Sequence, residues 1–381
     1  MVTVLSTPAT PLPGDGRASV VMNVGGRATI ADPGATGLRP SPEKKIAETE
    51  DGIVTPLRWG IAGFGWVARD YMMPGIEAAG GVVAAVADPS PLAQASAESA
   101  SLLAFDDTTA MLASAEVDAL YVATPNHLHL PPVQAAAAAG VPVLCEKPLA
   151  ATLADAEAIV TAVDGRLCGT AFDQRHHPAH RAMADAIANG RIGRPVAVRI
   201  VYACWVGPDW APDNWRADPA AAGGGAVIDL ALHGLDLAQM LVGEPLARLH
   251  IDLQRRVHDY AVDDGGVLSG RTAGGVLVQS HVAYNCAEVL PRRRLEVLGE
   301  TGMLVATDTM GQTPGGRVDL HCGRTGAVTP LPFDTDLSPF AAQAAAFAAA
   351  VRGEPHDFDV ARDLQLMRLF DAAYREAQAC L

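Results

Sequence analysis

The chain has 381 residues and a formal net charge of −15, from 28 Lys and Arg residues against 43 Asp and Glu residues. So acidic a chain lacks the basic surface that binds phosphate backbones, and we expect no nucleic acid partner. We find no run of the roughly 18 apolar residues that a membrane-spanning helix needs, and therefore predict no membrane span. Hydrophobic residues make up 49% of the chain, and its length suggests two globular domains.

The cysteines and the N-terminus indicate the compartment. The six cysteines are scattered, with no pair at the spacing of a metal site: Cys145, Cys168, Cys204, Cys286, Cys322 and Cys380. The first basic residue is Arg17, and no long apolar run follows it, so no secretion signal is recognisable. We therefore predict a cytoplasmic protein with reduced thiols and no bound metal.

Residues 1–55 form a compositionally distinct N-terminal arm. Prolines and glycines recur through it and prevent a continuous helix. One interpretation is a disordered or processed leader. The other is an extended arm that lies across a neighbouring subunit, with the apolar run at residues 20–24 docked on that subunit.

A dinucleotide-binding motif follows the short apolar run at residues 57–62. It is a GxGxxA loop that consists of Gly63, Phe64, Gly65, Trp66, Val67 and Ala68. Gly63 permits a tight turn, Gly65 lets the backbone approach a pyrophosphate, and Ala68 lets the following helix pack closely on the strand. The amino end of that helix would present free amides to the phosphates.

Asp88 is the predicted ribose-binding residue. It ends the apolar run at residues 82–87 and lies about 20 residues beyond the glycine motif, where an acid accepts the ribose hydroxyls. Its carboxylate would repel a 2′-phosphate, and no Lys or Arg follows closely, so we predict NAD rather than NADP. The alternative is that Asp88 and Pro89 merely begin a turn.

Strands and helices then alternate, with helices expected over 91–104 and 130–139 and strands over 117–123 and 141–145. This alternation predicts a doubly wound parallel sheet, in which ligands bind at the carboxyl ends of the strands. Two loops leave those ends and are expected to contact the cofactor through Thr124, Pro125, Asn126, His129, Glu146 and Lys147.

These motifs together resemble the Gfo/Idh/MocA family of oxidoreductases. The resemblance rests on GFGWVA at 63–68, ATPNHLH at 123–129 and, most specifically, EKP at 146–148. It continues through DQRHHP at 173–178, NWR at 214–216, the triple glycine and helix at 223–236, DD at 263–264 and LEVLGETG at 295–302, so it covers roughly residues 57–380.

The resemblance implies an α/β Rossmann domain at residues 56–173 (the first domain). An α+β domain with a large, mostly antiparallel sheet would follow at residues 174–381 (the second domain). The residue pattern agrees, with β segments expected at 196–202, 249–255, 267–271, 276–283, 295–298 and 318–322, and helices at 338–351 and 359–379. We also count Arg175, in the segment that enters the second domain, among the cofactor-binding residues.

Asp229 and His233 are the predicted acid–base pair. They lie four residues apart in a helical stretch, so their side chains share one face, although such pairs usually lie on a solvated surface. A carboxylate beside an imidazole orients it and stabilises the imidazolium. The resemblance maps Lys147, Asp229 and His233 onto the family's catalytic trio. His233 would be the general acid/base, Asp229 would contact substrate and tune His233, and Lys147 would hydrogen-bond the reacting oxygen.

Three further residues are candidate substrate contacts. Trp215 and Arg216 precede the catalytic helix, and Tyr284 ends a predicted strand. A structural role is the alternative for these aromatic residues, and for Asp236 it is the expected one.

The sequence thus predicts an NAD-dependent dehydrogenase acting on a secondary hydroxyl of a cyclic polyol, sugar or sugar derivative, assembled as a homodimer or homotetramer. An alternative is a sugar-to-sugar oxidoreductase with tightly bound NADP, because residues 37–42 resemble the Pro-rich arm of glucose–fructose oxidoreductases. Asp88 and His233 argue against that alternative. A non-catalytic nicotinamide-binding regulator is a third hypothesis, since a fold does not fix a function.

Overall fold

A computed structural model describes residues 55–207, 210 and 214–381, preceded by two short antiparallel strands, β1 (Glu48–Thr49) and β2 (Gly52–Ile53). The predictions made for the N-terminal arm, including the apolar run at 20–24 and the Pro-rich stretch at 37–42, lie outside the described residues.

The sheet of the first domain has six parallel strands. In chain order they are β3 (Arg58–Ala62), β4 (Val82–Ala87), β5 (Leu103–Phe105), β6 (Ala119–Val122), β7 (Val143–Cys145) and β8 (Cys168–Thr170). They lie side by side as β5-β4-β3-β6-β7-β8, which is the strand order of dinucleotide-binding folds. The predicted doubly wound parallel sheet is confirmed, and its switch point lies between β3 and β6.

Five helices connect these strands. They are α1 (Met73–Ala78), which continues from a π-helical turn at Ala68–Met72, α2 (Pro91–Ser99), α3 (Thr108–Ser114), α4 (Leu130–Ala139) and α5 (Leu153–Val163). The helix expected over 91–104 is shorter in the structure, where α2 ends at Ser99. The chain turns at Ser101, whose φ is 62°, and the next residues pair with β4 as strand β5.

The second domain contains a sheet of eight strands. They are β9 (Pro195–Ala203), β10 (Leu246–Gln254), β11 (Gly265–Thr272), β12 (Leu277–Ala283), β13 (Arg293–Gly299), β14 (Gly302–Thr307), β15 (Arg317–Cys322) and β16 (Val328–Pro330). Their order is β10-β11-β12-β9-β13-β14-β15-β16, and only β9 and β12 among them pair in parallel. The expected large, mostly antiparallel sheet is confirmed, although β14 and β16 were not predicted.

The helices of the second domain also reach the first. They are α6 (Pro178–Ala188), α7 (Pro219–Ala222), α8 (Leu232–Val242), α9 (Pro339–Val351) and α10 (Val360–Gln378). Phe347 of α9 packs in the apolar cluster that contains Trp59 of β3, and Met367 of α10 packs in the cluster that contains Cys145 of β7. The end of the chain therefore closes the core of the first domain.

One helical stretch qualifies by length and hydropathy as a membrane span, contrary to our reading of the sequence. The most apolar window of Pro219–Val242 has a mean hydropathy of 1.4, and 83% of that window is buried inside the protein. Leu235 and Ala238 of this stretch are fully buried in the core of the second domain. The hydropathy of 219–242 is therefore that of a core helix.

Candidate active site

The glycine loop lies at the switch point of the first sheet. Gly63 has a φ of 86°, and a Cβ atom there would come within 2.6 Å of the amide nitrogen of Thr124, so only glycine lets the loops after β3 and β6 meet. At Gly65, an added Cβ would find no atom within 4 Å, so this part of the loop borders open space. Ala68 is fully buried where the helix begins. This cradle fits the pyrophosphate of a dinucleotide.

Asp88 is fixed by the same loop. Its Oδ2 accepts a hydrogen bond of 2.8 Å from the Phe64 amide, and its Oδ1 accepts one of 2.9 Å from the Ser90 amide. Each carboxylate oxygen retains a further lone pair. The half-buried side chain therefore fits the predicted contact with ribose hydroxyls.

The loops after β6 and β7 are joined by His129, whose ring is completely buried. Its Nε2 lies 3.0 Å from the carbonyl oxygen of Thr124, and its Nδ1 lies 3.2 Å from that of Leu149. Burial lowers the pKa of His129 to about 4, although both carbonyls favour the protonated ring. His129 therefore holds together the two loops that are predicted to contact the cofactor. Asn126 ties them to the second domain, since its Nδ2 donates to the Ala222 carbonyl over 2.8 Å.

Lys147 and Asp229 meet across the two domains. The Lys147–Pro148 peptide bond is cis, and the Lys147 Nζ lies 2.7 Å from Oδ1 of Asp229 and 2.9 Å from its carbonyl oxygen. Tyr284 donates its hydroxyl proton to Oδ2 over 2.7 Å. Burial alone would raise the pKa of Asp229. The charges of Lys147 and Arg216, with the hydrogen bonds from Lys147 and Tyr284, hold it well below its usual range.

His233 contacts a different carboxylate from the one that the sequence spacing suggested. Its Nδ1 lies 3.1 Å from Oδ1 of Asp173, which lies shortly after β8, whereas Asp229 pairs with Lys147. The two atoms are within ion-pair distance but off the hydrogen-bond direction, and each is without another partner in the part of the chain that the structure describes. The physical reason is local: Asp229 lies in a π-helical turn (Val227–Ala231), whose wider spacing changes which side chains share a face.

Arg175 and Glu146, which were also predicted to bind the cofactor, are paired with other residues of the protein. Arg175 makes ion pairs of 2.7 Å with Asp236 through Nε and with Asp357 through Nη1, so its contact with a cofactor stays a prediction. Burial raises the pKa of Asp236 to about 6 even though Arg175 favours its charged form. Glu146 accepts a hydrogen bond from the Tyr121 hydroxyl, and burial raises the pKa of Glu146 despite the charge of Lys147 and that hydrogen bond.

Arg216 contacts two indole rings. Its Cζ lies 4.3 Å from the ring centroid of Trp215 and 5.6 Å from that of Trp66 in the glycine loop. The sequence placed Trp66 beside the cofactor and the other two residues beside the substrate, and the structure brings all three together.

Sequence reasoning missed the anchor of the helix that bears Asp229 and His233. Asp263 accepts hydrogen bonds from the amides of Gly225 (3.0 Å) and Val227 (2.8 Å) and from the hydroxyl of Tyr374. A side chain at residue 225 would collide with the carbonyl oxygen of Asp263. The triple glycine and the Asp263-Asp264 pair were the available signals, because glycines that precede a helix often allow such a close approach.

The described residues also bear on metals and thiols. No group of three or more His, Cys, Asp or Glu side chains within those residues is arranged to hold a metal ion. All six cysteines are free thiols.

Comparison with known proteins agrees with this architecture. An NAD-binding Rossmann-fold model of an oxidoreductase family matches residues 57–171, and the GFO/IDH/MocA C-terminal domain model matches residues 180–305. The chain is 34% identical over 301 residues to 1,5-anhydro-D-fructose reductase of Ensifer adhaerens, an alignment that covers 78% of this chain and 88% of that protein.

Two further proteins are similar over most of their length. D-xylose 1-dehydrogenase (NADP(+)) 2 of Haloferax volcanii is 30% identical over 84% of this chain and 98% of its own. The crystal structure of an aldose–aldose oxidoreductase from Caulobacter crescentus, complexed with glycerol, superposes with a TM-score of 0.75 at 24% identity, over 86% of this chain and 99% of that one. The chain therefore belongs to the Gfo/Idh/MocA family, among relatives that are dehydrogenases and reductases of sugars and polyols, and is an NAD(P)-dependent oxidoreductase.

Proposed function

We propose that the protein transfers a hydride between NAD and a secondary hydroxyl or ketone of a cyclic polyol, sugar or sugar derivative. The observation that carries this proposal is the meeting of Lys147, from the end of β7, with Asp229 on the helix that also bears His233. An ammonium group, a carboxylate and an imidazole thus lie beside the switch point, where ligands of such sheets bind.

Cofactor choice follows from Asp88. When bound, NAD would accept or supply the hydride, held by the amides of the glycine loop and by the Asp88 carboxylate. A 2′-phosphate would be repelled by that negative charge, and residues 89–146, which follow Asp88, contain no Lys or Arg that could offset it. NAD is therefore the preferred form in this proposal.

His233, Lys147 and Asp229 divide the work on the substrate. His233 takes the hydroxyl proton when the alcohol is oxidised and returns it when the ketone is reduced. Lys147 donates a hydrogen bond to the reacting oxygen, and its position is fixed by the ion pair with Asp229. Because the pKa of Asp229 is low, its carboxylate stays ionised over the working pH range and can also accept a substrate hydroxyl.

A substrate panel tests this proposal. D-xylose, D-glucose and myo-inositol are offered with NAD or NADP, and 1,5-anhydro-D-fructose with NADH or NADPH, while the absorbance of the reduced nicotinamide is followed. We expect turnover with a higher kcat/KM for the NAD pair, and at least an about 100-fold loss in both His233→Ala and Lys147→Ala. A protein that binds NAD but turns over no member of a broader polyol panel would contradict the proposal.

A sugar-to-sugar oxidoreductase that retains NADP is the second candidate, favoured by the Pro-rich stretch at residues 37–42. Acid precipitation of the purified protein, followed by analysis of the released nucleotide, separates the two. One NADP per chain supports this second function, whereas an empty or NAD-containing site supports the first.

A further inference from the structure

We propose that Asp173 is the positioning residue of His233, holding the imidazole through Nδ1 so that Nε2 faces the substrate. This inference rests on the proposed role of His233 as the acid/base. Its starting observation is the separation of 3.1 Å between Asp173 Oδ1 and His233 Nδ1.

Asp173 is itself held firmly. Its Oδ2 accepts a hydrogen bond of 2.7 Å from Nε2 of Gln174. The same amide nitrogen donates to the Gly311 carbonyl over 2.8 Å, and Oε1 of Gln174 accepts from the Gly311 amide over 3.4 Å. Asp173 therefore has one oxygen fixed by Gln174 and the other within 3.1 Å of Nδ1 of His233.

Because Asp173 is buried, the negative charge of its carboxylate needs a compensating neighbour. The residue is 3% exposed, and a buried carboxylate is costly unless its charge is compensated. Burial alone would raise the pKa of Asp173, yet the charge of His233, the hydrogen bond from Gln174 and the charge of Lys147 keep it below its usual value. An ionised carboxylate only accepts hydrogen bonds, so its neighbour Nδ1 carries the proton and Nε2 keeps the lone pair.

Asp173 is the carboxylate that can hold His233, because the other groups named here are uncharged or already have partners. Tyr202 of β9 packs edge-on against the ring at a centroid distance of 6.0 Å. Lys147 is paired with Asp229, and Glu146 is bonded to Tyr121 and has a raised pKa. The two carboxylates nearest the chemistry therefore have separate partners, with one holding the lysine and the other the histidine.

The poor alignment of the contact is compatible with the proposed role. Hydrogen bonds between catalytic groups are often long or misaligned before substrate binds and tighten in the reacting complex.

Asp173→Asn tests the inference, because it removes the charge with little change in shape. We expect kcat to fall about 10- to 100-fold, with KM changed less than about threefold. We also expect the acidic limb of the kcat/KM profile for oxidation to move to lower pH by about one unit, because the charge that favours the protonated ring is gone. The substrate is the most rapidly oxidised member of the panel described above.

A spectroscopic readout that is independent of turnover accompanies the kinetics. Long-range ¹H–¹⁵N spectra of the labelled histidine rings report the tautomer, and the His233 signals are assigned by their loss in His233→Ala. We expect a single Nδ1–H tautomer in the unmodified protein and a mixture in Asp173→Asn. Asp363→Asn is the matched control, since Asp363 is also a buried carboxylate, in an ion pair with Arg362. The Asp363→Asn substitution should lower the stability of the protein without changing the pH profile of kcat/KM or the tautomer of His233.

The outcomes distinguish this inference from the proposed function. Turnover retained in His233→Ala would overturn the function itself. If His233→Ala is inactive but Asp173→Asn keeps the kcat, the pH profile and the ring spectrum of the unmodified protein, only the role of Asp173 is overturned. Should Asp173→Asn fail to fold, the spectrum of the unmodified protein decides, because a ring protonated at Nε2 and bare at Nδ1 contradicts the inference.

Discussion

The guanidinium carbon of Arg216 lies 5.6 Å from the ring centroid of Trp66, so a residue of the second domain packs on the glycine loop of the first. The ring centroid of Trp215 lies 4.3 Å from the same guanidinium carbon. Cation–π contacts of this kind contribute about 0.5–2 kcal/mol. The stack joins the two domains beside the loop that would hold the cofactor phosphates.

Trp66→Ala is therefore expected to speed the release of the dinucleotide. Loss of the contact between Trp66 and Arg216 should raise the NADH dissociation rate constant by about 2- to 30-fold, the range that corresponds to the energy of one cation–π contact. Stopped-flow displacement of bound NADH measures this constant. Trp66→Phe retains an aromatic face and should lie close to the unmodified protein. Identical rate constants for Trp66→Ala and the unmodified protein would show that the stack does not restrain the cofactor.

Asp88→Asn should relax the preference for NAD. The substitution removes the negative charge and leaves an oxygen that can still accept the Phe64 amide hydrogen bond. We expect the ratio of kcat/KM for NADP to that for NAD to rise by at least about tenfold, since repulsion of a 2′-phosphate is lost. The measurement is steady-state kinetics with both cofactors at a fixed sugar concentration. An unmodified enzyme that already prefers NADP would contradict the assignment of Asp88.

Lys147 and Asp229 should behave as one unit in a double-mutant cycle. If Asp229 acts mainly by fixing the ammonium group 2.7 Å away, then the double variant Lys147→Ala/Asp229→Ala should be little worse than Lys147→Ala alone. We expect a coupling energy of about 1–3 kcal/mol in kcat/KM. Tyr284→Phe, which removes only the other hydrogen bond to Asp229, should cost a few-fold. Strictly additive losses would mean that the two residues act independently.

Part of the fold and part of the site could be predicted from sequence patterns alone. The alternation of apolar runs and helices predicted the parallel sheet, and the glycine motif located its switch point, because both patterns are local in the chain. The partner of His233 was not predictable in this way. The spacing of Asp229 assumed a regular helix, and Asp173 approaches from another domain through contacts between residues 60 positions apart. Similarly, the sequence predicts Arg175 as a cofactor contact, and only the fold brings Asp236 and Asp357 to it.

Buried histidines should make the protein sensitive to acid. Burial lowers the pKa of His129 to about 4 and that of His180 to about 3, from an ordinary value of 6.5. Between pH 6.5 and those values the unfolded chain binds protons that the folded protein does not, so the free energy of unfolding falls as the pH falls through this window. Each such histidine contributes a slope of up to about 1.4 kcal/mol per pH unit. Asp236, whose pKa is raised to about 6, opposes the trend over part of the same window.

His129→Gln isolates the contribution of one ring from the rest. Glutamine can still donate a hydrogen bond to the Thr124 carbonyl but does not titrate. The slope of the unfolding free energy against pH, between about pH 6 and 4.5, should therefore decrease by up to about 1.4 kcal/mol per pH unit, the contribution of one proton. Urea unfolding at several pH values gives this slope. His250→Gln is the control, because His250 is exposed on β10, and its replacement should leave the slope nearly unchanged. A slope that is the same in His129→Gln as in the unmodified protein would mean that His129 becomes protonated in the folded state over this pH range, despite its burial between two backbone carbonyls.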